Sequence, residues 1–247
     1  MKTNTIAIIT ARGGSKRLPR KNIRSFCGKP ILSYSVTAAL AADCFDEVMV
    51  STDDEEIAAI ARTYGATVPF MRSAATSDDF STTSDVLREV LLAYREQGKA
   101  YAYFCCIYPT CPLLRPKRLR EAMELLSDYD GVMPVAAFSF PPQRGLVIEK
   151  GLLRPRYPEY MQKRSQDLET MYHDAGQFYA CRTEAFLTAG TLWMDNTYAL
   201  LLSAMEVQDI DDEADWVLAE MKYKGAHSLR DVVHLHENNV ENTGKST

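Results

Sequence analysis

The residues most suited to chemistry lie between Thr10 and Asn22, in the run TARGGSKRLPRKN. Arg12, Lys16, Arg17, Arg20 and Lys21 place five cations within ten residues. Gly13 and Gly14 let the backbone turn tightly and bring its N–H groups close to a ligand. The loop follows Ile6–Ile9, an apolar run that reads as a buried strand, and no apolar periodicity resumes until about Ile31. A cationic glycine loop at the carboxyl end of a first strand is suited to holding a polyphosphate. The plainer reading is a solvated basic loop, as most charge runs are. Two glycines and five cations at the end of a core strand favour binding. The loop lacks both the Gly-x4-Gly-Lys-Ser/Thr pattern and the Gly-x-Gly-x-x-Gly pattern.

A second candidate is Asp209-Ile-Asp211, with carboxylates at i and i+2. On extended backbone they share a face and repel one another unless a cation sits between them. Hard oxygen ligands suit Mg²⁺, which takes few protein ligands and keeps waters and phosphate oxygens for the rest. The alternative is a helix N-cap, because Asp211-Asp212-Glu213 precedes the last helical segment. The two readings balance when taken alone, and a polyphosphate loop elsewhere in the chain favours the metal. His173-Asp174 could orient a substrate or move a proton, against the plainer reading of a polar turn. Arg164 could grip a carboxylate bidentately or be an ordinary surface arginine.

These groups need a scaffold, and the apolar pattern supplies one. Helices are expected over Pro30 to about Ala42, after Asp53 as far as Gly65, about Thr82 to Gln97, about Lys117 to Ser127, and about Glu213 to Tyr223. Strands are expected at Val48–Thr52, Thr67–Met71, Tyr101–Tyr108, Gly131–Ala136 and Gln177–Cys181. Such alternation implies an α/β fold with a Rossmann-like, doubly wound, mostly parallel sheet. Ligands then sit beyond the carboxyl ends of the strands, where the loop, Ser51–Asp53, Arg72 and Pro109–Thr110 would emerge. Pro141, Pro142, Pro155 and Pro158 break the pattern, so residues about 140–175 are expected to leave the sheet as a lid or dimer arm. Residues 1–225 then form one domain and 226–247 a polar tail.

With 247 residues and 46% apolar content the chain can build a sizeable core. A net charge of −5, with the cations gathered near the first strand, argues for a small anionic ligand and against a nucleic-acid partner. Six cysteines show no zinc-ligand spacing, and no leader or membrane span is visible, so the expected setting is the reducing cytoplasm.

The run Ala11–Asn22, Val50-Ser-Thr-Asp53, Arg72 with Ser77-Asp78, Pro109-Thr110-x-Pro112-Leu113 and Asp209-Ile-Asp211 together resemble the cytidylyltransferases that make CMP-sialic acids. The resemblance runs over roughly residues 5–222 and implies the nucleotide-diphospho-sugar transferase type of fold. It also implies transfer of CMP from CTP to the anomeric hydroxyl of a nine-carbon 2-keto sugar acid (a nonulosonic acid). Arg12, Lys16 and Lys21 would then hold the triphosphate and neutralise the leaving pyrophosphate, with Gly13, Gly14 and Ser15 completing the loop. Asn22, Arg72, Ser81 and Thr82 would contact the nucleoside, and Asp209 and Asp211 would bind Mg²⁺. Arg12, Lys21 and Asp211 would be the catalytic set. Tyr108, Arg164, Gln166, His173 and Asp174 would line the sugar pocket. The general base stays open among a water, Asp211 and His173. The segments 164–168, 172–176 and 206–211 resemble the branch that handles pseudaminic acid, with legionaminic and sialic acids as alternatives. Tyr108 supports that branch, since sialate enzymes usually carry Gln at this place. The family is typically dimeric. A metal-dependent glycosyltransferase with an Asp-x-Asp motif, or a non-catalytic nucleotide binder, is the rival reading, and each leaves one end of the chain without a role.

Overall fold

The computed structural model describes residues 4–226 apart from Lys16 and Asp79. The Lys16 expectation and most of the expected tail, 227–247, therefore lie outside the described residues. In chain order the elements are β1 (Thr5–Thr10), the small pair β2 (Ser25–Phe26) and β3 (Lys29–Pro30), α1 (Leu32–Ala42), β4 (Glu47–Ser51), α2 (Glu55–Thr63), α3 (Thr83–Glu96) and β5 (Tyr103–Ile107). There follow α4 (Pro116–Leu125), β6 (Gly131–Ala137), β7 (Leu146–Glu149), β8 (Leu152–Pro155), β9 (Tyr172–Asp174), β10 (Phe178–Arg182), α5 (Thr183–Ala189) and β11 (Thr197–Leu201). A last helix, α6, covers 213–226.

The main sheet runs β11-β6-β10-β5-β1-β4, with β9 also paired to β6. β4, β1, β5, β6 and β11 share one direction, while β9 and β10 run against it. This is the mostly parallel α/β sheet that the alternation implies. Successive residues of β1 face opposite layers. Ala7 and Ile9 join Leu32 and Val36 of α1 and Leu119 of α4, whereas Ile6 and Ile8 join Leu87, Val90 and Leu91 of α3. Burial on both faces explains why the strand reads as an unbroken apolar run. Cys105 and Cys106 likewise point into the two different layers.

Three departures have physical causes. Thr67–Met71 makes a single parallel bridge from Thr67 to Met49, and Pro69 has no N–H to carry a ladder further. β10 runs antiparallel because, after a bend at 175–177, it continues along β6 in the direction of β9, with no crossover helix to reverse it. α5 and β11 lack a strong signal: α5 has seven residues and stops at Gly190, whose φ is 72°. Residues 138–171 leave the sheet, and β7 and β8 form a separate antiparallel pair. The chain returns at Tyr172, so the excursion closes a few residues before the expected 175.

Candidate active site

The cationic loop begins where β1 ends and is stapled down by the neighbouring strand and helix. The Ala11 N–H donates to the Ser51 carbonyl at 2.9 Å, extending the ladder one residue into the loop. The Gly13 N–H donates to Asp53 Oδ1 at 2.9 Å. A Cβ on Gly13 would stand 2.8 Å from Asp54 Oδ2, so the loop can lie this close to α2 only with glycine there. Asp54 caps α2 by accepting from the Glu56 and Ile57 N–H groups at 2.9 and 3.0 Å. Arg20, in the left-handed region with φ 56°, pairs with both Asp54 and Glu56. The Arg20 hydrogen bond holds the Asp54 carboxyl below its usual range. Asn22 is buried and donates to the Arg12 carbonyl at 2.8 Å, so its amide closes the loop on itself.

The loop and the residues before α6 meet. Lys21 Nζ donates to the Ile210 carbonyl at 2.6 Å and lies 3.9 Å from Asp211 Oδ1. Arg17 forks onto Asp211, with both contacts at 2.7 Å. Burial, and then the neighbouring Asp211, raises the Asp209 carboxyl above its ordinary value. The helix-cap alternative for these acids is resolved by the next residues. Asp212 Oδ1 accepts the Asp215 N–H at 3.0 Å, and Asp215 Oδ2 accepts the Asp211 and Asp212 N–H groups at 3.0 and 3.2 Å. Asp212 and Asp215 thus cap α6, while the Asp209 and Asp211 side chains line the cleft.

That cleft has a volume of about 640 Å³ and lies at the carboxyl ends of β1, β4 and β5. Of the sequence-derived set it gathers Arg12, Ser15, Lys21, Asn22, Arg72, Ser81, Thr82, Tyr108, Asp209 and Asp211. Arg12 Nη1 reaches the Asp78 carbonyl at 3.1 Å across the mouth. Arg72 is buried, donating to the Ser51 carbonyl and hydroxyl at 2.6 and 3.1 Å, and burial lowers its pKa. Ser81 and Thr82 also have local duties. The Ser81 hydroxyl donates to Asp78 Oδ1 at 2.6 Å, and Thr82 forms a capping box with Asp85 at the start of α3.

A family model described as cytidylyltransferase matches residues 6–140, which contain the loop, β4, Arg72 and Tyr108. The chain belongs to the cytidylyltransferase family. A pseudaminic acid cytidylyltransferase of Campylobacter jejuni is 39% identical over 225 residues, covering 90% of this chain and 97% of that one. A CMP-N,N'-diacetyllegionaminic acid synthase of Legionella pneumophila is 32% identical, covering 87% of this chain and 94% of its own length. Among solved structures, a CMP:2-keto-3-deoxy-manno-octonic acid synthetase complexed with CTP superposes with a TM-score of 0.63 at 19% identity, covering 91% of this chain and 99% of that one. A 4-diphosphocytidyl-2C-methyl-D-erythritol synthase of Anaerococcus prevotii gives 0.62 at 12% identity, covering 91% and 100%. At such identities the two structures speak for the fold alone.

This cytidylyltransferase is therefore a nucleotidyltransferase, and the glycosyltransferase reading of Asp209-Ile-Asp211 falls away. Two hollows adjoin the main cleft. One, of about 420 Å³, shares Thr82, Thr83 and Tyr108 with it and adds Asp174, Tyr179 and Trp193. There Asp174 accepts from the Tyr179 hydroxyl at 2.5 Å and from the Gly176 N–H at 2.8 Å. The other, of about 500 Å³, shares Asp209 and adds His173 and Lys222. The ring of His173 bonds the Asp174 carbonyl at 2.8 Å. Gly13 and Gly14 shape the loop without lining these spaces. Arg164 and Gln166 line none of them: both sit on an exposed turn outside the sheet, where Arg164 forks onto Asp167 at 2.8 and 3.0 Å. The sugar-pocket expectation for these two is not met within one chain, because the excursion carries them away from the strand ends. Tyr179 and Trp193 were missed by the sequence reading. Tyr179 lies in a strand that reads as plain core, and Trp193 in a loop without any local pattern.

The paired acids fit a small hard cation. Among the described residues no group of three or more His, Cys, Asp or Glu side chains forms a metal cage. Two carboxylates in a cleft that also holds Arg12 and Lys21 are a donor set that Mg²⁺, which takes few protein ligands, tolerates.

Proposed function

We propose that this enzyme transfers CMP from CTP to the anomeric hydroxyl of a nonulosonic acid, with pseudaminic acid as its substrate, and uses Mg²⁺. The observation that carries the reading is the convergence of Arg12 and Lys21 with Asp209 and Asp211 on one cleft, although the two pairs lie at opposite ends of the chain. The named pseudaminic and legionaminic relatives favour this class of acceptor, as does Tyr108 on the wall shared by the main cleft and a side hollow.

In this reading the sugar hydroxyl oxygen attacks the α-phosphorus as the bond to the bridging oxygen breaks. Pyrophosphate leaves with that electron pair, and the hydroxyl proton passes to a base, for which water, Asp211 and His173 are the candidates. Arg12 and Lys21 stand against the triphosphate and offset charge growing on the leaving group. Arg72, with Ser51 fixing its guanidinium, and Asn22, Ser81 and Thr82 confine the nucleoside. Asp209 and Asp211 would hold Mg²⁺, which would supply charge neutralisation at the phosphates. Asp174 and Tyr179 present polar atoms to the acceptor beside Tyr108. The arm at 138–171, whose apolar face this chain leaves exposed, supports a homodimer. Six unpaired cysteines and no helix long and apolar enough to cross a membrane, among the described residues, agree with work in the cytoplasm.

The deciding assay measures pyrophosphate release from CTP, with and without Mg²⁺, against pseudaminic, legionaminic, sialic and 3-deoxy-octulosonic acids. Pseudaminic acid should give the highest kcat/KM. A clear preference for another acid would overturn the substrate, and no release with any of them would overturn the reaction.

A further inference from the structure

Arg17 and Asp211 form a two-pronged ion pair inside the cleft, each contact 2.7 Å long. The same two oxygens are the ones Asp211 would offer to a divalent cation, and a guanidinium forked onto both opposes a second cation there by like charge. We propose that Arg17 is a positioning residue that exchanges partners. It holds Asp211 until a triphosphate offers it phosphate oxygens, so that Asp211 accepts the metal only once nucleotide is present. The inference rests on reading Asp209 and Asp211 as the metal pair.

Charge supplies the first argument. Arg17 at 2.7 Å and Lys21 at 3.9 Å already offset the Asp211 charge, so an arriving divalent ion finds that carboxylate compensated and Asp209 alone facing it. A triphosphate entering the same cleft reverses that balance and draws the guanidinium away. The arginine fork fits phosphate as well as it fits carboxylate, so the exchange loses little geometry.

Exposure says which of the two cations moves. The Arg17 side chain is 71% exposed and that of Lys21 is 21% exposed. Lys21 is tethered by the Ile210 carbonyl at 2.6 Å, whereas solvent-facing pairs such as Arg17–Asp211 are held weakly. Asp211 stays in place when Arg17 leaves, because its own N–H is fixed by Asp215 at 3.0 Å. The exchange therefore alters what Asp211 binds without moving the segment that carries it.

The test reads metal binding directly, by loss of the free Mn²⁺ signal in electron paramagnetic resonance. In nucleotide-free protein, Arg17→Ala should tighten Mn²⁺ binding about tenfold over wild type, within the usual span of coupling between sites. Arg17→Lys, a cation without the fork, should fall between the two. By reciprocity, a non-transferable α,β-methylene CTP should raise the Mn²⁺ affinity of wild type more than that of Arg17→Ala. Adding Asp211→Asn to Arg17→Ala should abolish the gain. Thermal melts confirm that each variant folds. Unchanged Mn²⁺ affinity in Arg17→Ala overturns the exchange, as does a gain that survives Asp211→Asn. If Arg17→Ala shows no gain while Asp211→Asn weakens Mn²⁺ in the nucleotide complex, the exchange fails and the metal pair stands. If Asp211→Asn changes Mn²⁺ binding in no state, the metal pair itself is wrong.

Discussion

In the proposed reaction Lys21 and Asp211 carry the chemistry, and their surroundings say how each should respond to change. The Lys21 ammonium is held by a carbonyl at 2.6 Å and is largely shielded from water, so its charge is set in position before reaction. A fixed charge of this kind aimed at a leaving group contributes roughly 3 to 4 kcal/mol to the transition state. Lys21→Ala is therefore expected to lower kcat by at least about two orders of magnitude with little change in thermal stability. Near-wild-type turnover would take Lys21 out of the mechanism. Asp211 is different, since α6 is capped by Asp212 and Asp215 and does not need its carboxylate. Asp211→Ala should abolish Mg²⁺-dependent transfer while circular dichroism and melting temperature stay close to wild type. A variant that kept full activity would show the carboxylate to be dispensable for metal. The same side chain, exchanged at Asp212, should instead cost about 1 kcal/mol of stability, measured by urea unfolding, through loss of the cap.

At the scale of elements, the main part of the site was legible because it sits on regular structure. β1 reads as a strand from its apolar run, and the loop at its end carries types whose purpose is chemical. β4 and β5 deliver Ser51–Asp53 and Tyr108–Thr110 to the same edge by the ordinary rule for parallel sheets. The side hollows were legible only in part: Tyr108, His173 and Asp174 are among the residues expected for the sugar pocket, while others come from β10, the loop after α5, the end of β6 and the segment after β11. Strand direction there follows from which neighbour closes the sheet, and no local pattern encodes that. One buried cluster behind the site was also missed. Glu206 accepts from Arg118 at 3.1 Å on both oxygens and from the Ser203 N–H and hydroxyl at 3.2 and 3.0 Å. Its carbonyl takes the Gln177 amide, so α4, β10 and the segment leading to Asp209 are locked together. Burial alone would raise the Glu206 pKa, but the Arg118 and Ser203 hydrogen bonds overcome it and bring the value from 4.5 down to about 2. A folded value below the unfolded one means stability that is present in full above about pH 4.5 and lost as pH falls towards 2. The shift corresponds to about 3 kcal/mol. Glu206→Gln should therefore destabilise most at pH 6, and the gap to wild type should narrow by about 1 kcal/mol at pH 3.5 in urea titrations. A gap independent of pH would mean that the charge on Glu206 is not what holds the segment.

For the whole molecule, the excursion over 138–171 raises the question of what covers it. In the β7–β8 pair, Ile148 stands opposite Leu153 and Leu146 opposite Pro155, so all four project from one face. Ile148 is 76% and Leu153 65% exposed, and a two-stranded ribbon with a bare apolar face is marginal in water by itself. Phe138 and Phe140, at the start of the excursion, are exposed as well. A second copy of the chain, meeting this one arm to arm about a twofold axis, would bury the same patch on both partners. It would also give a destination to Arg164 and Gln166, which stand on the arm and away from the cleft of their own chain. Replacing Ile148 and Leu153 together by Asp should then yield a monomer in sedimentation velocity at concentrations where wild type sediments as a dimer. Far-ultraviolet circular dichroism should be unchanged, since the main sheet does not depend on the arm. If the arm serves a partner's cleft, the monomer should show a raised KM for the sugar acid with the KM for CTP near wild type. A monomer whose two KM values are both unaltered would leave the arm a purely architectural contact, and a variant that still dimerises would place the interface on another surface.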